Sequence, residues 1–352
     1  MTNAGIPTEP IGSIPRSKEL LNGFQQFQNG KISAHDMESL FQSAVQDTIE
    51  RFEKTGSPVI TDGEQRKPSF ATYPIHGLKN LNSNGVIIPF KDGHTRQLPT
   101  LTTGPFRYAK YAAEDLRAAK KIAKKPMKQA VISASAMSLL YPANGIVGYA
   151  REEFIEDLIN EAAKDIRQCL DEKSSVQIDF TEGRLAVKLD PSKSLLKSFI
   201  DLNNRVLDRF TSAERQRIGV HTCPGGDHDS THSADIDYAD FLPDFFQLNV
   251  GSFFVQLASE PDAKRILKIM KPYATGARRI FIGVTDPISA QIETPEQVKR
   301  RVLEALDFIP AQNLGTTDDC GFSPFCDDVS TSRDTAFAKI KARIDGTQLV
   351  FN

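Results

Sequence analysis

The chain has 352 residues, 39% of them hydrophobic and 25% charged, with a formal net charge of −2. This is the balance of an ordinary globular protein with room for one large barrel or two smaller domains. The near-neutral charge, with Lys and Arg spread along the chain, leaves no electrostatic footprint for nucleic acid, and the basic run at 120–128 reads as a solvated helix face. No apolar run reaches the roughly 20 residues that a membrane span needs. Residues 1–10 lack the basic-then-apolar pattern of a secretory leader. The cysteines, Cys169, Cys223, Cys320 and Cys326, form no disulfide framework. A reducing, cytoplasmic setting is therefore expected.

In chain order, Ile11-Gly12-Ser13-Ile14-Pro15-Arg16 reads as a tight loop after a short strand. Residues 33–55 read as a helix, with Met37, Leu40, Phe41, Val45, Ile49 and Phe52 at steps of three and four, Ser33 as its cap and Gly56 at its end. A short buried strand at 58–60 precedes Thr61-Asp62-Gly63-Glu64. Residues 84–104 form an excursion, a β-hairpin turning at Lys91-Asp92-Gly93-His94. Strands are then predicted at 130–133, 175–179, 218–221, 245–250, 279–284 and 313–317. Helices are predicted at 151–170, 194–210, 238–242, 261–270, 295–306 and 333–344. Strands alternating with helices of ten to twenty residues imply parallel pairing through βαβ units.

About eight strands are counted, and the predicted fold is an α/β (β/α)₈ TIM barrel, a single catalytic domain over 1–352. In such a barrel the residues at the C-terminal strand ends converge on one mouth. Ser13, Glu64, Ser133, Asp179, His221, Cys223, Asp286 and Cys320 all fall at or just past strand ends. An open doubly wound sheet is the runner-up, but no Gly-rich dinucleotide fingerprint follows the first strand.

His221-Thr222-Cys223 places an imidazole and a thiol on one side of a strand, because the side-chain period is two. With Cys320 of Asp319-Cys320-Gly321 they offer one nitrogen and two sulfurs. That donor set suits Zn²⁺ and leaves a fourth position open, as catalytic sites do. The competing reading is a polar histidine beside a buried thiol.

His221-Thr222-Cys223, Asp319-Cys320-Gly321, Ile11-Gly12-Ser13-Ile14-Pro15, Asp62-Gly63-Glu64 and Gln177-Ile178-Asp179 occur in the order found in cobalamin-independent methionine synthase. The chain resembles the C-terminal catalytic barrel of that family, including its short stand-alone forms, over nearly its whole length. The resemblance implies a catalytic zinc held by His221, Cys223 and Cys320. It also implies methyl transfer from a methylated folate to the thiol of homocysteine. Glu64 and Asp179 would hold the amino group of the amino acid, and Ser13 would add a polar contact. Small molecules are thus the expected partners, with no nucleic acid and no membrane, and the reading leaves room for a homo-oligomer.

Several positions depart from the family pattern. The family's fourth ligand is a glutamate at the end of the next strand, where Asn249 is the best match and Gln247 the alternative. Ile288 stands where full-length enzymes carry a histidine, Phe180 follows Asp179 where an acid is usual, and Ser133-Ala134-Ser135 replaces a Gly-Pro turn. Asp286 and His228 are the candidates for proton transfer, His228 lying in the polar 224–232 loop. These departures also motivate an alternative, in which the same zinc barrel performs another thiol transfer, hydrolysis or addition on a small specialised metabolite. A non-catalytic barrel with a structural metal is a third reading, against which the open position argues. Arg66 and Lys67 are read as anion contacts or surface charges, Cys326 as a spare thiol near the mouth and Cys169 as core.

Overall fold

The computed structural model describes residues 5–351; positions 1–4, part of the stretch read for a leader, lie outside the described residues. Six parallel strands form a continuous sheet in spatial order, Lys128–Ile132, Ser175–Asp179, Ile218–Thr222, Ser252–Val255, Arg279–Thr285 and Leu314–Asp318. Two further segments close the ring. Thr8 bridges Thr316 in parallel and Ile60 bridges Met127 in parallel. The Thr61 hydroxyl donates to the Gly12 carbonyl at 2.8 Å, and the Ile14 N–H to the Gly63 carbonyl at 3.0 Å, joining the first segment to the second. The result is an eight-stranded parallel α/β barrel in which two strands are reduced to single bridges.

Helices pack outside the ring because each carries one apolar stripe. Helix Ala34–Lys54 begins at a capping box. Ser33 Oγ accepts the Asp36 N–H, Asp36 accepts the Ser33 N–H, and Met37, Ala44, Val45, Thr48, Ile49 and Phe52 face inward. Phe52 meets Phe337 of the C-terminal helix Arg333–Gln348 edge to face at 5.2 Å. Burial of such a side chain contributes about 1.5–3 kcal/mol. Cys169 is wholly buried on helix Arg151–Asp171. Among the described residues, no helix is long and apolar enough to cross a membrane.

Two sequence expectations are corrected. The segment at 245–250 is not a strand: helix Tyr238–Phe245 runs into it, and the strand is Ser252–Val255. Phe245, Phe246, Leu248 and Val250 are buried, the first two against Phe253 of the strand, so the apolar run there resembled a buried strand. In the basic run at 120–128, Lys128 is no surface group. It opens a barrel strand, is 1% exposed, and lies inside the ring with Nζ 3.9 Å from the Phe254 ring centre and 3.4 Å from Glu9. Burial pushes its pKa down to about 8 against the opposing pull of Glu9.

The excursion is a hairpin, Ile87–Pro89 against Thr95–Gln97, and it folds back over the mouth. Lys91 N–H donates to the Thr231 carbonyl at 3.0 Å and Asp92 N–H to the Ser230 hydroxyl at 3.2 Å. Arg96 lies over the Phe325 ring and forks onto Asp227 through Nε at 2.5 Å and Nη2 at 3.0 Å.

Candidate metal and substrate site

His221 is the penultimate residue of its strand and Cys223 the first beyond it, so both side chains point to the barrel axis side. Cys320 arrives from the loop after Leu314–Asp318. The Asp319 carboxylate sets that loop by accepting the N–H groups of Leu257, Ala258 and Ser259, each at 2.8 Å. Gly321 lets the loop press on the first strand end, since a Cβ there would stand 2.1 Å from Ser13 Oγ. The buried Arg16 guanidinium ties the same loops, donating to the carbonyls of Ser323, Glu64 and Lys67 at 2.6–2.9 Å.

The donor atoms of His221, Cys223 and Cys320 lie within 4.8 Å of one another. The two sulfurs are 2.8 Å apart, too far for a disulfide bond of about 2.05 Å. The Cys320 thiol next to it, and then the His221 imidazole, hold the Cys223 pKa well below its ordinary value, while that of Cys320 is pushed up by the same neighbour and by burial. Neither nitrogen of the buried His221 ring has a hydrogen-bond partner. Buried polar atoms are rarely left so, and one nitrogen and two sulfurs at these positions fit a borderline-soft cation.

These three residues share a cavity of about 430 Å³ with Ser13, Glu64 and Asp179. Asp179 pairs in register with His221 on the neighbouring strand. Burial, reinforced by Glu64, pushes its pKa up to about 6. Glu64 holds a left-handed backbone, φ 56°, and its carboxylate accepts from Lys67 Nζ at 2.9 Å. Lys67 is thus neither a surface charge nor a free anion contact. Arg66 pairs with Glu38 and with Asp115. Cys326 lines the cavity too, beside apolar walls that include Phe70, Ile88, Phe90, Leu98 and Phe325.

Three sequence candidates lie elsewhere. Asn249 is exposed at the N-terminal end of its strand, where its N–H meets Asn204 at 2.9 Å. The misplaced strand had carried it to the wrong end of the barrel. The C-terminal end of that strand carries Gln256, whose N–H meets the Thr222 carbonyl at 3.5 Å and whose amide is held by Ser259. That position therefore bears no carboxylate, but through a different residue. Asp286, in the loop after Arg279–Thr285, does not line the cavity; it accepts from the Ile288 N–H at 3.0 Å. His228 sits at the outer tip of a tight turn, φ 47°, against Arg96 and Asp328, and does not line the cavity either.

The 224–232 loop is not solvated throughout. It is a small hairpin, Gly226–Asp227 against Ser230–Thr231, with Asp227 fully buried under Arg96 and His94. Gly225, φ 71°, is required because a Cβ would lie 1.7 Å from His232 Nε2. His94, unassigned in the sequence, stacks on Phe90 between Asp92 and Asp227. Phe180 turns outward onto Phe241 and Phe245, while Glu182, in the first turn of the next helix, lines the cavity. Its signal in the sequence was a carboxylate three residues past a strand end.

A parallel barrel with an imidazole, two thiols and buried carboxylates at its C-terminal mouth defines a class, barrel enzymes whose mouth carries a thiol-rich donor set fit for a metal. The family described as "Cobalamin-independent synthase, Catalytic domain" matches residues 6–328, and the chain belongs to it. It is 22% identical over 346 residues to methionine synthase of Saccharolobus solfataricus, covering 98% of this chain and 95% of that protein. Methionine synthase of Sulfurisphaera tokodaii is 22% identical, with 98% and 92% covered. Among solved structures, a B12-independent methionine synthase from Shewanella sp. W3-18-1 in complex with selenomethionine superposes with TM-score 0.71 at 18% identity, covering 99% of this chain and 98% of that one. A putative vitamin-B12 independent methionine synthase from Listeria monocytogenes gives 0.72 at 21% identity, with 99% and 100% covered.

Proposed function

We propose that this chain is a zinc-dependent S-methyltransferase of the methionine synthase type, moving a methyl group from a methylated folate to the thiol of homocysteine. The observation that carries the reading is the cavity, in which a soft donor set and two buried carboxylates face the same space. His221, Cys223 and Cys320 would hold the ion. When bound, Zn²⁺ supplies the positive charge that keeps a substrate thiol deprotonated at neutral pH.

Glu64 and Asp179 then fix the amino group of the amino acid by charge-assisted hydrogen bonds, which are shorter and stronger than neutral ones. Lys67 keeps Glu64 in place and Gln177 donates to Asp179 at 2.8 Å, so neither carboxylate must reorganise. The apolar walls and the overlying hairpin keep water from the thiolate and offer flat surfaces to the donor ring. The balance is simple: a sulfur–carbon bond forms, a nitrogen–carbon bond breaks, and one proton passes from sulfur to nitrogen. Purified enzyme given methylfolate and homocysteine is expected to form methionine, and Cys320→Ser to form almost none. No methionine from the wild type, with zinc bound, would reject the reading.

A further inference from the structure

In the methyl-transfer reading, Glu64 and Asp179 take up the ammonium of the amino acid, yet the protein keeps an ammonium of its own beside them. Lys67 is 1% exposed, and its Nζ donates to Glu64 Oε1 at 2.9 Å and to the Ala130 carbonyl at 2.8 Å. A lysine ammonium has three N–H donors. The Tyr73 ring covers the remaining side, its centre 4.3 Å from Nζ. Tyr73 is wholly buried, in the short 3₁₀ helix Tyr73–Ile75 that follows the cavity-lining segment 69–72. Its hydroxyl donates to Asp165, which also accepts the Ala112 N–H at 2.7 Å, so the far end of the ring is pinned.

Held any other way, Lys67 would compete with the substrate. Glu64 gives only Oε1 to Lys67, and Asp179 only Oδ1 to Gln177, which leaves one oxygen of each for a ligand in the cavity that both line. Burial works against the lysine charge, but Glu64, then Asp62 and Asp179, raise its pKa to about 12, so the ammonium persists. Its four-carbon stem is flexible. An ammonium swung toward Asp179 would satisfy both carboxylates before an amino acid arrived. Resting on the methyl-transfer reading, we propose that Tyr73 is a positioning residue: its ring holds the Lys67 ammonium back on Glu64 Oε1, so that Glu64 Oε2 and Asp179 stay open to the ammonium of homocysteine.

The ring face and the hydroxyl do different things, and this separates positioning from plain packing. A desolvated cation on an aromatic face is held more strongly than one at the surface. Tyr73→Phe keeps that face but loses the bond to Asp165, and is expected to melt at a lower temperature than the wild type. Tyr73→Leu loses both the face and the bond.

Titration calorimetry on the whole zinc-loaded enzyme compares homocysteine with 4-mercaptobutanoate, the same thiol acid without the amino group. Tyr73→Leu is expected to bind homocysteine about 3- to 30-fold more weakly and 4-mercaptobutanoate as the wild type does. Tyr73→Phe is expected to bind both as the wild type does, despite its lower melting temperature. In turnover the loss should fall on the homocysteine KM, with kcat nearly unchanged. The wild type gives a second readout that needs no variant to fold: the Lys67 Hε protons, seen by NMR after lysine labelling, should lie upfield under the ring and stay there when homocysteine binds. Homocysteine affinity unchanged in Tyr73→Leu, equal weakening of both thiols, equal losses in the Phe and Leu variants, or a Lys67 signal that leaves the upfield range on binding would overturn the role of Tyr73 alone. A wild type that binds no homocysteine would overturn the methyl-transfer reading and this role together.

Discussion

Asp227→Ala tests the hairpin as a closure over the mouth. Asp227 is fully buried and accepts two hydrogen bonds from Arg96, with His94 Nε2 at 3.0 Å. Charge-assisted hydrogen bonds contribute about 1.5–3 kcal/mol each, so the pair and the histidine contact would total more than that. Arg96 is a quarter exposed and keeps Asp327 at 2.9–3.0 Å, which offsets part of the loss. The backbone bonds of Lys91 and Asp92 also remain. A net cost of about 2–3 kcal/mol on the closed hairpin follows, or about 30- to 140-fold in its opening equilibrium. Hydrogen exchange read by mass spectrometry should show faster exchange by that factor in peptides covering 84–104, with the barrel strands unchanged. KM should rise, because Ile88, Phe90 and Leu98 line the cavity. Unaltered protection of the hairpin would refute the assignment of its closure to Asp227.

Two further changes probe the buried charges. Lys67→Met leaves the Glu64 carboxylate buried without its cation, both side chains being under 5% exposed; loss of one partner of such a pair costs about 3–5 kcal/mol. Urea unfolding should show a lower midpoint at constant slope. Asp165 is buried with its pKa pushed up to about 6 by burial, despite hydrogen bonds from Tyr73 and the Ala112 N–H. A raised carboxyl pKa means the folded state binds the proton more tightly, so stability falls as pH rises between about 4 and 6 and stays reduced above. Asp165→Asn should therefore gain on the wild type across that window, by about 3 kcal/mol at most. A stability difference that does not vary with pH would show that Asp165 is ionised throughout.

The barrel was legible because strands such as Ser175–Asp179 and Arg279–Thr285 carry β-branched residues and alternate with helices. His221 and Cys223 were legible because two-residue spacing at a strand end has one geometric meaning. The run from Phe245 to Val255 was not, since a short apolar stretch satisfies a buried helix end and a buried strand equally. That ambiguity displaced Asn249 from the mouth and hid Gln256. Glu182 and His94 were hidden for another reason: their partners, Ser133 and Asp227, are 49 and 133 residues away, and no local pattern encodes such pairing. The two closing strands, before Gly12 and at 58–60, were legible as short strands, and in the structure they make only the single bridges at Thr8 and Ile60.

X-ray absorption at the zinc edge of the purified protein tests the central claim most directly. The expected result is one zinc per chain with two sulfurs at roughly 2.3 Å and a nitrogen at roughly 2.0–2.1 Å, and a third sulfur appearing when homocysteine is added. Zinc absent from the protein, or a shell of oxygen and nitrogen alone that ignores the added thiol, would contradict it.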